Sequence, residues 1–224
     1  MTILVVTGTD TGVGKTIVTA ALAALAHSRG ERVAVVKPVQ TGVAPGEPGD
    51  LEEIRRLAGT DDLHELVRFS DPLAPATAAR LAGAEPPGLA DAVTAIEQLR
   101  DRDLVLVEGS GGLLVHLDAL GGTLAELALA LAAPALVVVR AGLGTLNHTA
   151  LTCEALRTRG VPCSGVVVGA WPDDPGLAAI CNLDDLPLYA GEPLVGCLPE
   201  GAGALDPETF LAAAREGLGE EALV

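Results

Sequence analysis

At 224 residues the chain has room for one sizeable α/β domain, and nothing in it requires a second. Hydrophobic residues make up 49% but aromatics only 2%, so any core is built from Ala, Val, Leu and Ile, a composition suited to a parallel sheet covered by Ala-rich helices. A formal net charge of −16 with no run of Lys or Arg excludes a nucleic-acid footprint and any attraction to an anionic membrane surface.

The first predicted strand is TILVVTG (2–8), followed by a helical stretch from Lys15 to Arg29 that Gly30 ends. Further apolar runs follow at 32–38, 103–109, 134–140, 163–169 and 193–199. Each is apolar throughout rather than alternating, the pattern of strands buried on both faces. Helical patterns fall at 51–58, 89–100, 123–132, 145–159 and 206–217. This alternation predicts βαβ units with right-handed crossovers: an α/β three-layer fold, its mostly parallel central sheet flanked by helices on both faces. Residues 1–224 are read as a single domain. The Pro/Gly-rich interval from Pro38 to Leu89 shows no clear strand, and an insertion of this kind builds part of a site or an interface. Cys153, Cys163, Cys181 and Cys197 form no C-x-x-C pair and lie in apolar stretches, so they are expected to be reduced core fillers. No basic leader segment and no 18-residue apolar run occurs; the reading is a cytoplasmic protein with no membrane partner.

The stretch VVTGTDTGVGKT (5–16) ends like a phosphate-binding loop. The usual G-x-x-x-x-G-K-[ST] spacing would place its first glycine at Thr9; the nearest is Gly8, one residue early. A glycine-rich turn between strand and helix is the alternative reading. The flanking strand and helix are those a P-loop requires, with Gly12, Val13 and Gly14 bringing amides to phosphate oxygens at a helix start. Lys15 would neutralise β/γ-phosphate charge and the Thr16 hydroxyl would ligate Mg²⁺. In DLVLVEGSGG, Glu108 closes a strand at the ligand-bearing sheet edge and could hold the metal, with Gly109, Ser110 and Gly111 beside it; a solvated strand-end carboxylate is the alternative. Lys37, ending the second strand in VVKPVQTG, could neutralise a γ-phosphate or substrate anion rather than merely cap a strand. Thr41 follows in the adjoining loop.

Taken together, GTDTGVGKT, KPVQTG, VEGSGG and LGTLNHT resemble the dethiobiotin synthetase family, in family order from about residue 3 to 200. The resemblance implies a P-loop NTPase fold with a loop lengthened by one residue, which accounts for the displaced Gly8. It implies an ATP- and Mg²⁺-dependent cyclo-ligase of biotin synthesis, acting on 7,8-diaminononanoate (7,8-diaminopelargonate) and CO₂ through a carbamate and its mixed anhydride with phosphate. Carried over by position, Lys37 is the catalytic lysine, joined by Lys15 and Thr11. Thr41 contacts substrate, and Thr16, Asp50 and Glu108 hold the metal. Asp50 also opens a predicted helix, where it could serve as an N-cap. In RAGLGTLNHT the amides at Gly144, Thr145, Leu146 and Asn147 would bind the substrate carboxylate across a homodimer interface; an ordinary helix start is the alternative. His148 is read as structural. Many family members carry an Asn-Asp pair that reads adenine, and here Gly169 and Ala170 take its place. Neither offers a polar side chain to a base edge, and Trp171 could stack on the base or simply pack. Leu198, Pro199 and Glu200 resemble the second base and ribose loop.

Two rivals share the P-loop. A partitioning-type switch ATPase would carry a signature lysine at position 10, which is Asp10 here. A small-molecule kinase would need an Arg-rich lid, and no such segment is visible.

Overall fold

The computed structural model describes residues 2–219 and 222. In chain order the elements are β1 (Thr2–Gly8), α1 (Lys15–Ser28), β2 (Val33–Lys37), β3 (Gln40–Thr41), α2 (Asp50–Ala58), β4 (Leu63–Glu65), β5 (Arg68–Phe69), α3 (Pro75–Ala82), α4 (Leu89–Glu97), β6 (Leu104–Glu108), α5 (Leu124–Ala130), β7 (Ala135–Val139), α6 (Thr145–Arg159), β8 (Cys163–Trp171), α7 (Leu177–Ala190), β9 (Leu194–Pro199) and α8 (Pro207–Gly217). Seven strands form one parallel sheet in the order β4-β2-β6-β1-β7-β8-β9.

Strand β1 lies at the centre because both of its faces are apolar. Ile3 and Val5 enter one core, beneath α4, α5, α6 and α7, while Leu4 and Val6 enter the other, beneath α1, α2 and α8. Successive side chains of a strand point to opposite faces, so a strand that feeds two cores shows an unbroken apolar run. Helix α1 buries ten residues against the sheet, five of them alanines, and small side chains allow that close approach. Leu22 on α1 is fully buried; Leu22→Ala would cost about 2–5 kcal/mol in lost contacts and cavity. Gly30, at φ 81, turns the chain out of α1.

The interval 38–89 differs from the expectation of no clear strand. It contains β4, which extends the main sheet, and the separate parallel pair β3-β5, covered by α3 through Val39, Phe69, Ala78 and Ala79. These strands are two or three residues long and mostly half-buried, too short to leave a periodic signature. Helix α7 likewise has no counterpart in the periodic reading. It carries Pro187 inside and exposes Leu177, Ile180 and Leu188, so its apolar residues do not line one face. Cys153 is buried as expected and Cys163 and Cys197 are half-buried, but Cys181 is exposed on α7 and is no core filler.

Candidate active site

Parallel strands place their carboxyl ends, and the loops that follow, along one sheet edge. Here β1, β2 and β6 bring the glycine-rich loop, Lys37 and Glu108 to the same place, with β6 paired between the other two. They line a cleft of about 720 Å³ that also includes Thr11, Thr16 and Asp50.

The loop turns through Gly12 (φ 70) and Gly14 (φ 98), left-handed conformations that favour glycine. It folds back with Val13 buried; a Cβ on Gly8 would stand 2.7 Å from the Val13 Cγ2. Gly8 therefore supplies space for the lengthened loop, as its position ahead of Thr9 required. Gly14 is the N-cap of α1, so the first amides of the helix face the cleft without helical partners. The Lys15 ammonium donates to the Asp10 carbonyl at 2.9 Å. Burial, reinforced by the Lys37 charge, lowers the Lys15 pKa to about 8.

Glu108 is fully buried. Its Oε1 accepts from the Thr16 hydroxyl at 2.9 Å and from the Lys37 ammonium at 2.8 Å. Its Oε2 has no hydrogen-bond partner among the described residues. Lys37 also pairs with Asp50 Oδ2 at 2.6 Å and donates to the Gly109 carbonyl at 3.2 Å. Burial alone would lower the Lys37 pKa, but Glu108 and Asp50 outweigh it and hold the group protonated. The two carboxylates and the Thr16 hydroxyl form a hard oxygen set suited to Mg²⁺, which takes one or two carboxylates and leaves its other positions to water and phosphate. The unpartnered Oε2 fits that use.

Asp50 is not the N-cap of α2. Gly49 is, with the Glu52 carboxylate accepting from the Gly49 amide at 2.7 Å. Asp50 is the first helical residue and turns its carboxylate to Lys37. What sets this position is Gln40, buried, whose Oε1 accepts from the Asp50 amide at 3.1 Å and whose Nε2 donates to the Thr41 carbonyl at 3.1 Å. Arg68 braces the intervening loop, donating to the carbonyls of Ala44 at 3.3 Å and Glu47 at 2.5 Å. Gln40 was not singled out by sequence reasoning, although it stands inside the KPVQTG motif. Also unforeseen are the cleft's apolar wall of Leu73, Pro75 and Val115 and the ion pair of Arg140 with Asp10 at 3.2 Å.

The cleft contains Lys15, Lys37, Thr11, Thr16, Thr41, Asp50, Glu108, Ser110 and Gly111, and Gly12 and Gly14 of the loop. It does not contain Gly144, Thr145, Leu146 or Asn147. Those residues start α6, with Gly144 as a left-handed N-cap at φ 93 and Asn147 exposed. His148, expected to be structural, is exposed on the same turn. Gly169 packs directly against the phosphate-binding loop, while Ala170 is exposed. Trp171 and Pro199 line a separate hollow of about 430 Å³ with Leu183, Cys197 and Ala213. Trp171 also packs against the core under α7, and its carbonyl accepts from the Glu200 amide at 2.7 Å, tying the two loops together.

A strand, a glycine-rich loop closing on a helix, and a buried carboxylate on the neighbouring strand define the class as a P-loop nucleotide-binding protein. A family model described as an AAA domain matches residues 2–208. Solved structures with the same fold include the septum site-determining protein MinD complexed with Mg-ADP from Pyrococcus horikoshii, 18% identical with a TM-score of 0.63 over 96% of this chain and 95% of that one. The Pyrococcus furiosus cell division ATPase MinD is 21% identical with a TM-score of 0.62 over 96% and 97%. Sequence relatives are far nearer. The ATP-dependent dethiobiotin synthetase BioD of Saccharopolyspora erythraea is 62% identical over 97% of this chain and 96% of its own length. That of Frankia casuarinae is 61% identical over 97% and 92%. The chain belongs to the ATP-dependent dethiobiotin synthetase family.

Proposed function

We propose that this chain converts 7,8-diaminononanoate, CO₂ and ATP to dethiobiotin, ADP and phosphate. The observation that carries the reading is the placement of Lys37, held between Glu108 and Asp50, in one cleft with the phosphate-binding Lys15 and an apolar wall. A substrate amine adds CO₂ and loses a proton to give a carbamate. A carbamate oxygen then attacks the γ-phosphorus, ADP leaves, and a mixed anhydride forms. The second amine attacks the anhydride carbonyl, expels phosphate and closes the ureido ring.

Two anions must meet in the phosphoryl-transfer step, so cations fixed in advance lower its barrier. Lys15 serves the nucleotide phosphates. Lys37, charged and anchored, lies where the carbamate and γ-phosphate would approach each other, with Thr11 and Thr41 at the margin. Thr16, Asp50 and Glu108 would hold Mg²⁺, which when bound supplies further charge neutralisation across the β- and γ-phosphates. Leu73, Pro75 and Val115 offer the hydrocarbon part of the substrate a dry surface.

The amides of Gly144 to Asn147 lie outside the chain's own cleft, which supports a homodimer in which a second copy supplies them to the substrate carboxylate. Leu143, 95% exposed, and Leu151, also exposed, stand on the same face-forming segment and would be covered by that contact. The base would be met by Gly169, Ala170 and the Leu198–Glu200 loop through backbone groups. The rival switch-ATPase reading is not favoured, because Asp10 occupies its lysine position and is paired with Arg140. A single-domain enzyme of the cytoplasm is consistent with the absence, among the described residues, of any helix long and apolar enough to cross a membrane.

The test is a mass-spectrometric assay with 7,8-diaminononanoate, bicarbonate, Mg²⁺ and ATP. Dethiobiotin appearing in step with phosphate supports the proposal; nucleotide hydrolysis without ring closure overturns it.

A further inference from the structure

The chain between β9 and α8 lies against the first turn of α1. Pro199 ends β9, a single 3₁₀ turn occupies Ala202–Ala204, and Asp206 caps α8. Gly203 sits on Ile17, since a Cβ built on it would stand 2.9 Å from the Ile17 Cδ1. Ile17 follows Thr16 on the helix and lines the cleft with it. The segment thus borders the cleft on the side of the phosphate-binding helix.

Its internal bonds are local turns, from the Ala204 amide to the Gly201 carbonyl at 2.9 Å and from the Leu205 amide to the Ala202 carbonyl at 3.2 Å. These shape the segment without attaching it. Ala202 and Leu205 pack into the core beneath α1, α2 and α8, but apolar burial is non-directional and sets depth rather than the aim of a peptide. Directional attachment comes from two places. The Glu200 amide donates to the Trp171 carbonyl at 2.7 Å. On the far side Arg56, in the last turn of α2, donates from Nη1 to the Leu205 carbonyl at 3.0 Å and from Nη2 to the Gly203 carbonyl. Glu53, one turn earlier, grips the same guanidinium, accepting from Nε at 3.1 Å and from Nη2 at 2.6 Å. A guanidinium carries its donors in a rigid planar fork, so the grip of Glu53 decides where the remaining donors point.

We propose that Arg56 is a positioning residue for the nucleoside half of the nucleotide: it fixes the 200–205 segment against α2, so that the turn after β9 meets base and ribose already ordered. This rests on reading Leu198–Glu200 as the loop that faces the nucleoside. Arg56 itself does not line the cleft. Asp50, at the other end of α2, is set separately by Gln40, so loss of Arg56 leaves the phosphate and metal groups in place.

The experiment is calorimetric titration with ATP and, separately, with inorganic tripolyphosphate, both with Mg²⁺. The proteins are the parent chain, Arg56→Ala, Arg56→Lys and Arg55→Ala. Arg55 is the neighbouring cation on α2 and pairs with Asp61 at 3.2 Å. A released segment must be ordered again on binding, so Arg56→Ala is expected to weaken ATP by about tenfold and to leave tripolyphosphate unchanged. A lysine lacks the fork needed to hold Glu53 and both carbonyls, so Arg56→Lys should show a smaller loss, again confined to ATP. Arg55→Ala should bind both probes like the parent. Equal losses for the two probes would mean that Arg56 acts through its charge or through Asp50, and would overturn the inference. Undiminished ATP affinity in Arg56→Ala, or the same loss in Arg55→Ala, would also overturn it. A parent chain that binds tripolyphosphate as tightly as ATP would instead overturn the nucleoside-loop reading beneath it, and one that binds neither would overturn the nucleotide site itself.

Discussion

The Lys37 ammonium stands 2.8 Å from the Glu108 carboxylate with both side chains withdrawn from solvent, and Asp50 completes the group at 2.6 Å. A buried cation with two carboxylates is costly to assemble and more costly to break, because removing one member strands the others. On the proposed reading, the group serves the reaction rather than the fold. Lys37→Ala is expected to lower ring closure by on the order of 100-fold or more. It should also destabilise the fold by about 3–5 kcal/mol, through the carboxylates left behind. Adding Glu108→Gln should restore melting temperature without restoring dethiobiotin. Differential scanning fluorimetry beside the mass-spectrometric assay checks both parts, and wild-type turnover in Lys37→Ala removes the residue from the mechanism.

Gln40 acts at one remove. Its carbonyl fixes the Asp50 amide and hence the start of α2. Groups that orient metal ligands in this way typically contribute 10- to 100-fold in affinity. Gln40→Ala should weaken Mn²⁺ binding in the presence of ADP by about tenfold, read by calorimetry, with a much smaller change in melting temperature. Equal affinity would mean that Asp50 is held by α2 alone.

Base selectivity follows from what residues 169 and 170 lack. With no side-chain amide or carboxylate to pair with a purine edge, ATP, CTP and GTP should support ring closure with KM values within about tenfold of one another. A preference for ATP of about a hundredfold would show that the base is read by backbone groups after all.

Helix α5 offers a stability test at residues that do not line the cleft. Thr123 caps it, accepting from the Ala125 amide, and Glu126 closes a capping box back to the Thr123 amide at 3.1 Å. Thr123→Ala should cost about 1–2 kcal/mol, a fall in melting temperature of about 3–6 °C for a chain of this size, with turnover unchanged below the transition.

The proposed dimer predicts a split in kinetic effects. Leu143→Asp places a charge on the exposed turn before α6, where burial without a partner is strongly unfavourable. Light scattering should report a monomer, with a raised KM for the diamine and an unchanged affinity for ADP. A dimer that survives this substitution places the interface elsewhere.

Much of this molecule is local in origin. The strands β1, β2, β6, β7, β8 and β9 stand out because burial on both faces leaves uninterrupted apolar runs. The loop before α1 stands out because phosphate binding needs glycines, Lys15 and Thr16 in a short span at a helix start. Lys37 and Glu108 were identifiable because both end such runs, and parallel strands share one ligand-bearing edge. Tertiary structure alone decided the rest. The short strands β3, β4 and β5 and the half-exposed α7 carry too little one-sided burial to leave a pattern. That Gln40 sets Asp50, that Leu73 and Val115 face one cleft, and that Gly169 packs against Val13 all depend on the strand order β2-β6-β1-β7-β8. These contacts join residues ten positions apart or far more, between elements whose neighbours no local periodicity can specify.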